Sequence, residues 1–453
     1  VTPLWTGTDI AVATGGALSA PFAVEGVTFD SREVIGGELF VAMRGASADG
    51  HGFVAQAAAR GAAGFLVEQP VDGPHVRVAD SFRALEALGV AARARTAATV
   101  IGVTGSVGKT GTKEALRLAF ERVAPDATHA SVKSYNNHTG VPLSLSRMPQ
   151  STRFGVFEMG MNHSGEIAAL TRMVRPHVAV VTWVANAHIE NFADGEAGIA
   201  RAKAEIFEGL EPGGTAIWPA DNAHAPILGR AAEAVGARSI RFGWKEGADV
   251  RVLRADIGAA STDLVADVMG EELHCRIGMA GRHWVGNALA VLACVKVAGG
   301  DLAEAGLALA QLSDLPGRGA RFAIAVAGGS ATLIDESYNA NPASMAAALA
   351  VLRDTPAKRR IAVLGAMREL GAAGAALHAG LAAPIADAGV SELALVGPEM
   401  AALAVDGAVH LPDAAAAADW ARATLRDGDV LLVKGSNGIQ LGRLVAMLRE
   451  AGQ

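Results

Sequence analysis

Lys109 and Thr110 follow a glycine-rich turn, Thr104-Gly-Ser-Val-Gly108, an order of residue types suited to holding a polyphosphate. Glycines let the backbone N–H groups of Gly105, Ser106, Val107 and Gly108 curl around phosphate oxygens. A helix starting at Lys109 adds positive potential, the Lys109 ammonium neutralises the outer phosphates, and the Thr110 hydroxyl can ligate Mg²⁺. The match to G-x-x-x-x-G-K-[ST] is incomplete, because its first glycine falls on Val103 while glycines stand at 102 and 105. The alternative is a strand-to-helix turn that uses glycine for its shape alone, and Gly-Lys-Thr at a helix start favours phosphate. Other groups could act with this loop. Glu158 ends the run Phe154–Glu158, and His188 follows the run His177–Val184. Alone, either reads as a capping or solvated side chain. In a doubly wound sheet, ligands gather beyond the carboxyl ends of the strands. Glu158 and His188 at successive strand ends are therefore expected to converge on the loop as a metal–phosphate site.

The elements that would position these groups form an α/β pattern. Thr99–Val103 is a β-branched run that reads as a buried strand, and Lys113–Phe120 is helix-forming. From about 98 to 312, strands alternate with helices, which predicts a parallel sheet covered on both faces. The polar loop Ser134–Thr139, with Asn136 and Asn137, precedes a helix within this stretch. Lys203, in the helix after His188, reads as a surface lysine, and Asn287 as either a helix N-cap or a purine contact, the cap being favoured. Residues 1–96 read as a separate small α/β unit in which Asp30, Ser31, Arg32 and His51 form polar loops near strand ends. After Leu315-Pro-Gly-Arg-Gly-Ala-Arg321, the pattern predicts a hairpin, Phe322–Val326 with Ala331–Asp335, and a helix from Ser344. Strands at Arg360–Gly365, Glu392–Gly397 and Asp429–Gly435 complete this last unit.

Composition narrows the function classes. A chain of 453 residues is long enough for about three domains. With 51% hydrophobic and 19% charged residues it is globular rather than disordered. A net charge of −7 and no lysine/arginine run argue against broad nucleic-acid binding, so an anionic substrate needs local basic residues. Cys275 and Cys294 lack metal-ligand spacing, which fits a reducing compartment. No basic segment followed by an apolar core opens the sequence, and no apolar run is long enough to span a bilayer. A cytoplasmic protein is expected.

Thr104–Thr110, Glu158, His188, Lys203 and Asp335-Glu-Ser-Tyr-Asn-Ala-Asn-Pro342, with Asp30-Ser-Arg32 and Leu39-Phe-Val-Ala42 near the start, together resemble the Mur ligase family. That family consists of ATP-dependent amide-bond formers of peptidoglycan synthesis, and the likeness covers essentially the whole chain. Asn136-Asn137 with Gly140-Val-Pro-Leu143, and Tyr338–Pro342, resemble the member that adds D-alanyl-D-alanine to UDP-N-acetylmuramoyl-tripeptide. Folylpolyglutamate synthases share the phosphate loop but do not usually carry such an N-terminal domain. The resemblance implies three domains. These are a UDP-substrate domain (1–96), a central P-loop-type ATP-binding domain (97–314), and a Rossmann-like C-terminal domain (315–453) that binds the acceptor amine and closes.

It also implies roles. Lys109 and the loop amides would hold the β- and γ-phosphates, with Thr110 and Glu158 on one Mg²⁺ and His188 with a carbamylated Lys203 on a second. Asn287 would meet adenine, Arg318 a phosphate (Arg321 being the alternative) and Asp335 the ribose. Ser31, Arg32, Asn136, Asn137, Asn339 and Asn341 would contact substrate. Catalysis would rest on Lys109, Glu158, His188 and Lys203 in a monomer with small-molecule substrates and no nucleic-acid partner. Two departures stand out: Gly365-Ala-Met367 where Gly-Asp-Met is common, and Asn437 where arginine is common. The remaining alternatives are a relative that adds a single amino acid and, from a different class, a non-catalytic nucleotide-dependent switch or scaffold. The switch would not need Glu158, His188 and Lys203 together.

Overall fold

The computed structural model describes residues 2–45, 48–312, 315 and 317–450. The expected boundary between 314 and 315 falls on Asp314, outside the described residues.

The strand Thr99–Thr104 lies inside a nine-stranded sheet, hydrogen-bonded in parallel to Phe154–Glu158 on one side and Val178–Val181 on the other. Its side chains alternate between two cores, as a strand covered on both faces must. Ile101 and Val103 pack with the helices Lys109–Val123 and Arg282–Val297, whereas Val100 joins the core built by Gly140–Ser146, Glu166–Val174 and Glu196–Ala204. At Gly102 a Cβ would meet the Met159 methyl at 2.6 Å, so this glycine serves the packing of the sheet rather than a phosphate. The expected parallel sheet is thus present from Thr128–Ala130 to Val250–Ile257. Beyond it the pattern changes. Thr262–Val268 and Glu271–Ile277 continue the sheet as antiparallel strands, each alternating apolar and charged residues.

Residues 17–77 form a five-stranded sheet, parallel but for one edge strand. Its helix Ser81–Ala94 lies on Gly140–Ser146 of the central unit. The buried Arg93 guanidinium donates to the carbonyls of Val174 and Arg175, both at 2.8 Å. Trp5 Nε1 donates to the Ser146 carbonyl, and Glu33 accepts from both Lys133 and Tyr135.

Residues 320–434 form a six-stranded sheet in which the expected hairpin, here Ala320–Val326 with Gly329–Glu336, supplies the antiparallel edge. Helices cover both faces of this sheet, with Leu349, Leu381 and Ile385 on one side and Ala417, Leu444 and Leu448 on the other. The helix expected from Ser344 starts at Pro342, with Asn341 as its cap.

Candidate active site

The phosphate loop takes the shape expected of it. Gly105 and Gly108 adopt φ of +154° and +87°. A Cβ on Gly108 would stand 2.5 Å from Asn287 Oδ1, and one on Gly105 would be driven into the Thr182 hydroxyl. No side chain caps the helix Lys109–Val123, so its first N–H groups are left for an anion. The Lys109 ammonium turns back onto the Gly105 carbonyl at 2.7 Å. Loss of hydration holds its pKa below the ordinary lysine value; Glu158 opposes the shift and Arg318 adds to it.

Glu158 is buried at its strand end, where Oε2 accepts from Thr110 Oγ1 and Oε1 from Asn136 Nδ2, both at 2.7 Å. The loop that carries Asn136 is held by Lys113, whose fully buried ammonium donates to the carbonyls of Ser131 (2.8 Å) and Lys133 (3.0 Å) and pairs with Glu114. Lys203 is 2% exposed, so its reading as a surface lysine does not hold. Burial, reinforced by Lys109 and opposed by Glu205, lowers its pKa well below that of a free lysine. A buried amine of this kind is readily neutral. His188 does not end a strand as expected: the strand Val178–Val181 stops earlier, and His188 stands in the following loop at φ +56°, just ahead of the short turn Ile189–Asn191.

These groups line one cavity of about 1180 Å³ between the central and C-terminal units, with the phosphate loop, Glu158, His188 and Lys203 on one wall. Arg318, Glu336, Tyr338, Asn339, Asn341, Glu369 and Lys434 contribute the other. Arg318 stacks on Tyr338 and reaches Ser134 Oγ at 3.4 Å, which itself lies 3.4 Å from Thr110 Oγ1. Of the two candidate arginines, Arg318 lines the cavity, whereas Arg321 turns away and donates to Thr355.

Other expected site residues are placed differently. Asn287 lies inside the helix Arg282–Val297, whose cap is Gly281, so the cap reading fails and its amide packs under the phosphate loop instead. Asp335 does not line the cavity. Its carboxylate is taken by the N–H of Gly317 and by the N–H and hydroxyl of Ser337. Asn137 caps its own loop through Thr139 and Gly140, and likewise does not line the cavity. Ser31 donates to Gln56 and Arg32 pairs with Asp30, both in the N-terminal unit away from the cavity lining. The polar loop around His51 proves to be a brace, since His51 pairs with Asp49 and accepts from the Glu68 N–H. Ser134, Glu369 and Lys434 were not expected as lining residues, although Ser134 stands in the polar loop Ser134–Thr139 and Lys434 ends the strand Val430–Lys434.

Among the described residues no group of three or more His, Cys, Asp and Glu could hold a metal. The donors are instead a hydroxyl, a single carboxylate and an imidazole beside a phosphate loop. That set fits Mg²⁺, which is held through one or two carboxylates plus substrate phosphates.

Family models match along the chain in three blocks: the Mur ligase family catalytic domain at residues 23–96, the Mur ligase middle domain at 103–295, and the glutamate ligase domain at 320–437. A UDP-N-acetylmuramoyl-tripeptide–D-alanyl-D-alanine ligase of Escherichia coli is 33% identical over 97% of both chains. The chain belongs to the Mur ligase family. Its Synechocystis relative of the same name is 34% identical over 95% of this Mur ligase and 93% of the relative. The crystal structure of MurF from Acinetobacter baumannii superposes with a TM-score of 0.85 at 31% identity, covering 98% of this Mur ligase and 99% of that chain. MurF from Thermotoga maritima, solved in complex with ADP, gives 0.79 at 26% identity over 94% and 97%. The three-domain α/β architecture expected of a Mur ligase is therefore present. Among its described residues no helix is long and apolar enough to cross a membrane.

Proposed function

We propose that this Mur ligase joins D-alanyl-D-alanine to UDP-N-acetylmuramoyl-tripeptide, using ATP and releasing ADP and phosphate. The observation that carries the reading is one cavity that combines a phosphate loop, the Thr110–Glu158 pair, His188 and Lys203 with residues of the C-terminal unit. Full-length similarity to ligases of that name supports it.

In this reading Lys109 and the N–H groups of residues 105–110 bind the β- and γ-phosphates, Asn287 borders the adenine and Arg318 meets phosphate from the C-terminal side. The free carboxylate of the tripeptide attacks the γ-phosphorus, the bond to the β-phosphate oxygen breaks, and ADP departs. The amine of D-alanyl-D-alanine then adds to the acyl phosphate, loses a proton, and phosphate leaves. Thr110 and Glu158 would hold one Mg²⁺ and His188 with a carbamylated Lys203 a second. Magnesium would supply the positive charge that lets an anionic carboxylate approach an anionic phosphate. The neutral amine favoured by Lys203's burial is the form that takes up CO₂. Asn136 orients Glu158, while Asn339 and Asn341 face the cavity where the acceptor would enter. Closure of residues 315–453 on 97–314 excludes water from the acyl phosphate. Residues 1–96, with Ser31 and Arg32, would hold the uridine end. The enzyme would act as a cytoplasmic monomer.

The test is incubation with ATP, Mg²⁺, UDP-N-acetylmuramoyl-tripeptide and D-alanyl-D-alanine, with mass analysis of the products. A pentapeptide product formed with stoichiometric ADP is expected. ATP turnover without product, or transfer of a single amino acid in preference to the dipeptide, refutes the reading.

A further inference from the structure

The cavity wall supplied by the C-terminal unit includes a carboxylate for which the reaction as described has no use. Glu369 follows the strand Arg360–Gly365 in the segment Met367-Arg-Glu-Leu-Gly371, and it crosses to the central unit. Its Oε2 lies 2.5 Å from His188 Nδ1. That nitrogen is buried and has no other hydrogen-bond partner, and the approach of Glu369 is close without being aligned as a hydrogen bond. Two neighbouring contacts fix the same pair of loops. Ile189 packs into the apolar core of the C-terminal unit as well as that of the central one. Gly371, at φ +51°, sits so tightly on Glu190 that a Cβ there would approach the Glu190 Cβ to 2.5 Å. His188 itself stands at φ +56° on a short loop, where nothing on its own unit satisfies Nδ1.

We infer that Glu369 is a positioning residue for the reaction, delivered by closure of the C-terminal unit to hold the His188 imidazole in its metal-binding orientation. A carboxylate on one ring nitrogen fixes the tautomer and direction of the other and raises its basicity as a ligand. Ala366, where related sequences often carry aspartate, is fully buried among apolar side chains, so a carboxylate there would have no access to the cavity. Glu369, three residues on, is the carboxylate of this segment that reaches it. The metal site would then be complete only when the two units are together. An open enzyme would hold ATP on the phosphate loop without a fully formed second metal position.

This inference rests on His188 being a metal ligand, as proposed above. The experiment is a titration of the full chain with Mn²⁺, followed by electron paramagnetic resonance, in the presence of a non-hydrolysable ATP analogue. Glu369→Gln keeps shape and removes charge; Gly371→Ala leaves every ligand intact but forces the two loops apart. In both variants the tighter site should match wild type, which also shows that the central unit is folded. The second site should weaken by about tenfold or more, the usual effect of losing a carboxylate partner of a metal-bound histidine. Second-site affinity within about twofold of wild type in either variant overturns the inference. Wild-type protein that binds a single ion sinks the metal reading and this inference together. Two ions in wild type with unaltered variants sink only the role of Glu369.

Discussion

Replacing Gly108 by alanine tests whether the phosphate loop has its observed shape and needs it. The added methyl has two costs. At φ +87° an alanine sits in the left-handed region, a strain of about 1–2 kcal/mol. Its Cβ would also stand 2.5 Å from Asn287 Oδ1 and 3.4 Å from Thr182 Cβ. Asn287 is held in a helix beneath the loop with little room to retreat, so overpacking adds about 1–3 kcal/mol. The total is about 2–5 kcal/mol. If the loop resists, the cost appears as lost stability; if it yields, the N–H groups no longer converge and the cost appears in nucleotide affinity. Calorimetric titration with an ATP analogue should show a loss of at least about thirtyfold, the equivalent of about 2 kcal/mol, or thermal unfolding should show the corresponding destabilisation. A variant within about threefold of wild-type affinity and unchanged in Tm would refute both the loop geometry and the tight packing of Asn287 beneath it.

Other perturbations address the supports of the site. Lys203→Ala should abolish ligation, and short-chain carboxylates such as acetate should restore part of it by filling the vacated space with an anion; near-normal activity without added acid rules out the carbamate. Lys113→Met strips partners from two carbonyls and from Glu114, so urea unfolding should show a loss of about 3 kcal/mol or more, and a loss under about 1 kcal/mol contradicts the bracing role. His129 Nε2 donates to the Ser144 carbonyl, and burial pushes its pKa down to about 4. The unfolded chain therefore takes up a proton near pH 6.5 that the folded one refuses until about pH 4. Stability should fall across that window, by less than about 3 kcal/mol because the ring keeps some solvent contact. His129→Gln should flatten that part of the profile, and an unchanged slope between pH 7 and 5 would refute the assignment.

The parts of this molecule that could be read from sequence are those whose chemistry is local. A β-branched run, glycines and Gly-Lys-Thr occupy consecutive positions, so strand, loop and helix are written in one stretch. The C-terminal hairpin is similarly local. The antiparallel extension at Thr262–Ile277 was hidden because its charged residues alternate with apolar ones, and its register depends on the neighbouring strands. Asn287 looked like a cap because it follows Gly281 closely, yet the helix already begins at Arg282. Asp335 and Glu336 are adjacent carboxylates on opposite faces of one strand, and only the register shows that Glu336 reaches the cavity. Lys203 read as a surface lysine by residue type, and the burial of Lys113 was not anticipated. Lys113 lies one helical turn from Lys109, and that shared face was the available signal. The meeting of Glu369 with His188 joins two units far apart in sequence, and no local pattern encodes it.

Arg93 has a consequence for how the enzyme moves. It ties the helix Ser81–Ala94 to the carbonyls of Val174 and Arg175, joining the first two units together with Trp5 and Glu33. With that joint intact, the proposed closure of the C-terminal unit would be a single search rather than two coupled ones. If residues 1–96 hold the uridine end of the substrate, as proposed, that tether would fix where the tripeptide carboxylate can travel relative to the phosphates. Only the partner that brings the amine remains a kinetic variable. Changes that loosen the Arg93 joint would add an orientational freedom to the enzyme without touching any group that takes part in the chemistry.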